Sequence, residues 1–241
     1  MQHTTSDDKN PGPPGAGFSA AGVRRGAWDC GLVSIAVLPF GLAFGLAAAD
    51  KGLAFELTMA MSVLVFAGLS QMTALELWTS PLPVLPILLV TFTLNTRHIL
   101  YGAAMAPWAR EVKPLPKYLT ATIMADINWA MTMQAKERGE MDFGYLLGGG
   151  LLLWTAWQVS TAAGYFLGGG IGDPKALGLD AVVVALFATT LVGLWRGRED
   201  IVPWIAAAAA SLFAYAHLPL GWHIIVGALV GGLVGVRRFA R

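Results

Sequence analysis

The chain is poor in charge. Of its 241 residues 13% are Asp, Glu, Lys or Arg, whereas 56% are hydrophobic, and the mean hydropathy is +0.60. Soluble domains carry about 25% charged residues, so a soluble globular fold is excluded and an integral membrane protein is expected. Cysteine is nearly absent as well. Cys30 stands alone, which rules out an internal disulfide and a cysteine-based metal cluster. A formal net charge of +1 supplies neither a basic field for nucleic acid nor a surface for an acidic substrate. Also missing are His-Glu-x-x-His, Gly-x-Ser-x-Gly and a Gly-rich phosphate loop ending in Lys-Ser/Thr. Their absence removes zinc proteolysis, serine hydrolysis and ATP-driven pumping. No metal, cofactor or enzymatic activity is expected.

What is present is a succession of apolar segments. Residues 1–25, with Pro11-Gly12-Pro13-Pro14-Gly15, are polar and rich in Pro and Gly. They read as a disordered cytoplasmic tail without a cleaved signal peptide. Residues 26–238 read as one transmembrane domain, with spans predicted near 27–49, 57–78, 82–107, 118–135, 143–167, 180–195, 201–216 and 222–236. The last three are short, so the fold class is an all-α polytopic bundle of seven to eight helices. The Lys and Arg pattern sets its orientation. An inner side holding Arg24, Arg25, Lys136, Arg138, Arg196, Arg198, Arg237, Arg238 and Arg241 outweighs an outer side holding Lys51, Arg110, Lys113, Lys117 and Lys175. Both termini are therefore placed in the cytoplasm.

The segment 82–107 organises the rest. Asn95-Thr96-Arg97-His98 lies at its centre, flanked by apolar runs that are each too short to span alone, because a spanning helix needs about 20 apolar residues. An Arg at mid-depth costs about 2.5–3.5 kcal/mol, and each Leu, Ile, Val or Phe returns about 0.3–0.6, so the flanking runs carry it in. The quartet then marks either the break of a discontinuous helix or the tip of a re-entrant pair. Snorkelling of Arg97 to an interface is the plainer alternative.

Other polar groups fall inside the spans. Pro39 and Gly41 in the first span predict a kink, since proline removes a backbone donor. Gln71 in the second shares a helical face with Ala67, Gly68, Ala74 and Trp78, for an interhelical hydrogen bond or for substrate. In the fourth, Asp126 shares a face with Thr122, Trp129 and Met133. An intramembrane carboxylate is a functional candidate, and Arg97 is its partner cation, in a site or in a structural ion pair. His98 is a candidate for coupling, because histidine is the side chain most used to carry a proton. Gly227, Gly231 and Gly235 form a small-residue row on the last helix, open either to another helix of the chain or to a separate subunit. The triplets Gly148-Gly149-Gly150 and Gly168-Gly169-Gly170 receive no specific role.

Three readings follow from these residues. A carrier for a small zwitterion needs a cation or helix N-terminus for the carboxylate, acceptors for the ammonium and apolar walls; Gln71, Asn95, Arg97 and Asp126 provide the polar part. A channel, or a carrier for another small polar solute, is the rival, but no ring of like charges or carbonyl filter is evident. Gly170-Ile171-Gly172-Asp173 fits one motif of intramembrane aspartyl proteases, without the second carboxylate that such chemistry requires.

Three blocks carry a family resemblance: Pro39-Phe40-Gly41 with Gly45, Phe66-Ala67-Gly68-Leu69-Ser70-Gln71, and Asn95-Thr96-Arg97-His98-Ile99-Leu100-Tyr101-Gly102. In order and spacing, over about residues 26–236, the chain resembles the AzlC family, the larger subunit of two-component branched-chain amino acid exporters. The resemblance implies export of leucine, isoleucine, valine and similar amino acids across the bacterial inner membrane, with a small AzlD-like membrane subunit as partner. It departs from the family at Ile127, where the pattern tends to place a second carboxylate after Asp126.

Overall fold

The structure, a computed structural model, describes residues 17–139, 142–170, 197–219 and 222–239, with isolated positions between 185 and 195. The described residues are helical, with no strand among them. They form two compact units: those up to Val33 with Leu100–Leu153, and Ser34–Ile99 with those from Trp154 onward. The span expected at 180–195 and the Gly170-Ile171-Gly172-Asp173 motif lie largely outside the described residues.

In the first unit, α1 (Ala20–Asp29) begins at Ser19, whose hydroxyl accepts from the Gly22 amide and so caps the helix. This helix occupies the last residues of the stretch expected to be a tail. The Asp142 carboxylate accepts from the Ser19 amide and hydroxyl and from the Gly144 amide, tying α1 to the start of α9 (Gly144–Gly170). A Cβ on Gly26 would strike the Tyr145 backbone, and one on Gly148 the Val23 carbonyl. The first glycine triplet thus has a role: bare backbone lets α1 and α9 touch.

The second unit is built on α2 (Gly31–Asp50), which runs as one helix through Pro39. Gly41 packs on Ser160, and Gly45 on the Thr161 carbonyl, of α9. Gly41 therefore serves close helix approach. Phe44, Met72, Leu75 and Trp157 bury an apolar core beside it.

Two predicted spans are broken. The segment 57–78 divides into α3 (Phe55–Val65) and α4 (Gly68–Glu76), and 118–135 divides into α7 (Pro114–Thr122) and α8 (Asp126–Glu137). Conversely α5 (Val84–Asn95) and α6 (Arg97–Met105) are separated by Thr96 alone, which keeps right-handed helical angles. Together Val84–Met105 is one apolar helix long enough to cross a bilayer, as is α2. Of the two forms expected at the polar quartet, a discontinuous helix and a re-entrant pair, the second is not what the structure shows, because the chain does not turn back there. The reason is local: Thr93 Oγ1 donates to the Leu89 carbonyl at 2.7 Å, Asn95 Nδ2 to Thr91 at 2.9 Å and Thr96 Oγ1 to Thr93 at 2.7 Å. The polar side chains satisfy themselves on their own helix.

Only these two helices meet both the length and the hydropathy of a span among the described residues. At 27 residues α9 is long enough, but its glycines and tryptophans dilute its hydropathy. The chain ends in α10 (Ile201–His217) and α11 (Trp222–Phe239). Gly227 faces Ser211 and Gly231 faces Ala207. The glycine row is thus occupied by a neighbour in the same chain over two of its three positions.

Candidate functional site

The break between α3 and α4 is built from residues that one helix would not tolerate. Phe66 sits in the left-handed region at φ 41° and ψ 43°, a conformation that costs a bulky L-residue about 1–2 kcal/mol. Ala67 is extended at φ −140° and ψ 90°. The Ser62 carbonyl, in the last turn of α3, accepts from Gln158 Nε2 at 3.2 Å, and Ser62 Oγ pairs with Thr161 Oγ1 at 3.1 Å. A Cβ on Gly68 would lie 2.6 Å from the Trp157 ring. Side chains of α9 therefore hold the break open.

Beyond the break the N-terminus of α4 has no side-chain cap. Its first amides carry the partial positive charge of the helix end. One turn in lies Gln71, which is 1% exposed, and neither its Nε2 nor its Oε1 has a hydrogen-bond partner. Trp157 Nε1 and Gln158 Oε1 are also buried without partners. Such groups cost about 1–3 kcal/mol each when left unsatisfied, and native proteins keep few of them. Four such atoms lie on the two helices that flank this break, α4 and α9. The interhelical bond that would have explained Gln71 is not made.

Asn95 joins this site. Its Nδ2 donates to Ser70 Oγ in the first turn of α4 at 3.0 Å. His98 Nδ1 lies 3.2 Å from the Asn95 carbonyl, and Arg97 and His98 are partly buried on the same unit. Two of the four substrate residues expected from sequence, Gln71 and Asn95, therefore meet at α4.

Asp126 belongs to the other unit, at the first position of α8. Its Oδ1 accepts from the Tyr101 hydroxyl at 2.9 Å, and the Tyr101 ring stacks on Trp129 at 4.4 Å. The face shared with Thr122 does not exist, because the helix breaks at 123–125. Here Asn128 satisfies the backbone at the break, although Trp129 Nε1 in the next turn is buried without a partner. Asn128 Oδ1 accepts from the Ala125 amide at 2.7 Å, while Nδ2 donates to the Ile123 and Leu146 carbonyls at 3.3 and 3.2 Å. Asn128 is therefore scaffold, whereas Gln71 at the equivalent end of α4 has nothing to bind. Sequence reading missed Trp157 and Gln158, whose signal was a polar-aromatic pair inside an apolar helix.

The family model described as AzlC protein matches residues 33–171. The chain is similar to an uncharacterized membrane protein of Archaeoglobus fulgidus, 28% identical over 204 residues, covering 84% of this chain and 89% of that protein. It is also similar to the inner membrane protein YgaZ of Escherichia coli, 23% identical over 243 residues, with 98% and 87% covered. An uncharacterized membrane protein of Helicobacter pylori is 21% identical over 179 residues, with 74% and 78% covered. No solved structure gives a significant match.

Proposed function

The chain belongs to the AzlC family of membrane proteins, and from that premise we propose that it is a secondary active exporter of branched-chain amino acids. Leucine, isoleucine and valine are the substrates, with methionine as a further candidate. It works in the cell membrane with a small AzlD-like subunit, through a bundle of seven to eight spans with both termini in the cytoplasm. The residues serve transport and not catalysis.

Gln71 carries the reading. An amino acid zwitterion presents one acceptor group and one donor group, and Gln71 holds one unsatisfied donor and one unsatisfied acceptor at a buried helix end. The uncapped amides of α4 favour the carboxylate. Gln71 Oε1 accepts from the ammonium, and Asn95, bonded to Ser70, fixes the first turn that both ends of the substrate meet. Arg97 adds positive charge for the carboxylate. Phe44, Met72, Leu75 and Trp157 supply apolar surface for a branched side chain. Asp126 is assigned the coupling proton, and His98 is a second coupling candidate.

Heat stability tests the site directly, because a ligand that binds only the folded state raises the melting temperature. The purified chain is expected to be stabilised by leucine and not by leucinamide, which lacks the carboxylate. Equal stabilisation by both would remove the helix end from substrate recognition. For coupling, Asp126→Asn is expected to keep leucine exchange between equal pools and to lose transport driven by a proton gradient; normal gradient-driven transport would dismiss Asp126.

A further inference from the structure

We propose that the first unit binds one acidic phospholipid, with its phosphate between Arg110 and Lys117 and one acyl chain in the cavity beneath them. This is independent of the substrate reading. The cavity measures about 270 Å³ and is lined by the end of α6, the short 3-10 turn Trp108–Glu111, α7 and the start of α9. Its apolar wall comes from Met105, Met124, Phe143 and Leu146, all buried in one cluster. Arg110 and Lys117 are the two charged residues that line it. Neither has a carboxylate partner among the described residues, and Lys117 rests over the Tyr118 ring at 5.8 Å.

Three arguments select a lipid. An apolar cavity whose two cations have no described carboxylate partner complements an anionic amphiphile, whereas a free anion would leave the apolar wall without a partner. The place suits one, since Arg110 follows the apolar Val84–Met105 helix by five residues, and the end of a helix that spans the hydrocarbon core meets the headgroups. The surroundings are apolar too: Leu115, Tyr118 and Leu119 are exposed on one face of α7 at helical spacing, the pattern of a helix lying in the membrane interface. Two cations at one cavity mouth attract an anionic headgroup that comes within a Debye length of them.

The test measures the lipid concentration that half-maximally raises the melting temperature of the delipidated full chain in neutral detergent. Dioleoyl phosphatidylglycerol is expected to act at a concentration roughly 30-fold below dioleoyl phosphatidylcholine, from two cations near an acidic headgroup. Arg110→Gln with Lys117→Gln should abolish that preference, and Lys51→Gln should leave it unchanged. Ala121→Phe, which fills the cavity and keeps both charges, should weaken phosphatidylglycerol binding. Inorganic phosphate should produce no shift. The proposal is overturned by equal action of the two lipids, by an unchanged preference in the double variant, by an Ala121→Phe chain that binds phosphatidylglycerol normally, or by a comparable shift with phosphate. If the double variant does not fold, each single variant is expected to show part of the loss, and Ala121→Phe still decides.

Discussion

Asn95 donates its side-chain amide to Ser70 Oγ at 3.0 Å, which ties the polar centre of the Val84–Met105 helix to the first turn of α4. The two family blocks that stand apart in sequence thus meet at one uncapped helix end. Gln71, one residue further on, has no side-chain partner of its own.

Gln71→Leu separates site from scaffold. If Gln71 held the fold together, its loss would destabilise the chain. Removing two unsatisfied buried atoms should instead leave the melting temperature unchanged or raise it, at about 1–3 kcal/mol per relieved group, while leucine transport is lost. Thermal unfolding and transport measured on one preparation check this.

Ala67→Ser places a hydroxyl at the N-cap of α4. A serine cap stabilises a helix by about 1 kcal/mol relative to alanine, and it would satisfy amides assigned here to the substrate. The variant is expected to be at least as stable as the parent and to raise the leucine concentration for half-maximal transport. An unchanged value would show that those amides do not contact substrate.

Asn128→Ala should do the opposite. It strands the Ala125 amide and the Ile123 and Leu146 carbonyls, at about 1–3 kcal/mol for each group that water does not reach. Less folded protein is expected, with normal transport per folded molecule. Full stability would show that the second break is held by something else.

These contrasts mark where sequence stops being informative. The membrane class and the blocks around Gln71 and Asn95 are legible, because composition and motif spacing survive without the structure, whereas Gly41, read as part of a kink, is used for close approach to α9. The break at Phe66 is not. The residue type there argues against a left-handed conformation, and what imposes it comes from α9, where Gln158 satisfies Ser62 and Trp157 occupies the space that Gly68 leaves. The break before Asp126 is equally hidden, since no Gly or Pro marks it and Asn128 stitches it from a later turn. The quartet at 95–98 misleads in the other direction. Its polarity suggests an unwound segment, yet Thr93, Asn95 and Thr96 turn back on their own helix and preserve it. Residues 20–25 read as tail because they follow a polar stretch rich in Pro and Gly, although Ser19 is a good cap.

The glycine row on α11 yields a paired comparison. A Cβ on Gly231 would stand 2.8 Å from Ala207 Cβ, whereas one on Gly235 would meet nothing within 4 Å. Gly231→Leu should lower the yield of the chain itself, because overpacking costs about 1–3 kcal/mol, and Gly235→Leu should be tolerated. If Gly231→Leu expresses normally and fails only to co-purify with a small partner subunit, the row serves the partner instead.

Uptake of labelled leucine into inverted membrane vesicles tests the central claim most directly, because export from the cell becomes entry into the vesicle. With the chain and an AzlD-like subunit from the same genome co-expressed, uptake is expected to rise when a proton gradient is imposed, to fall when it is collapsed, and to be abolished by Gln71→Leu. Uptake no greater than in vesicles lacking the chain, or uptake that Gln71→Leu leaves intact, would contradict the account.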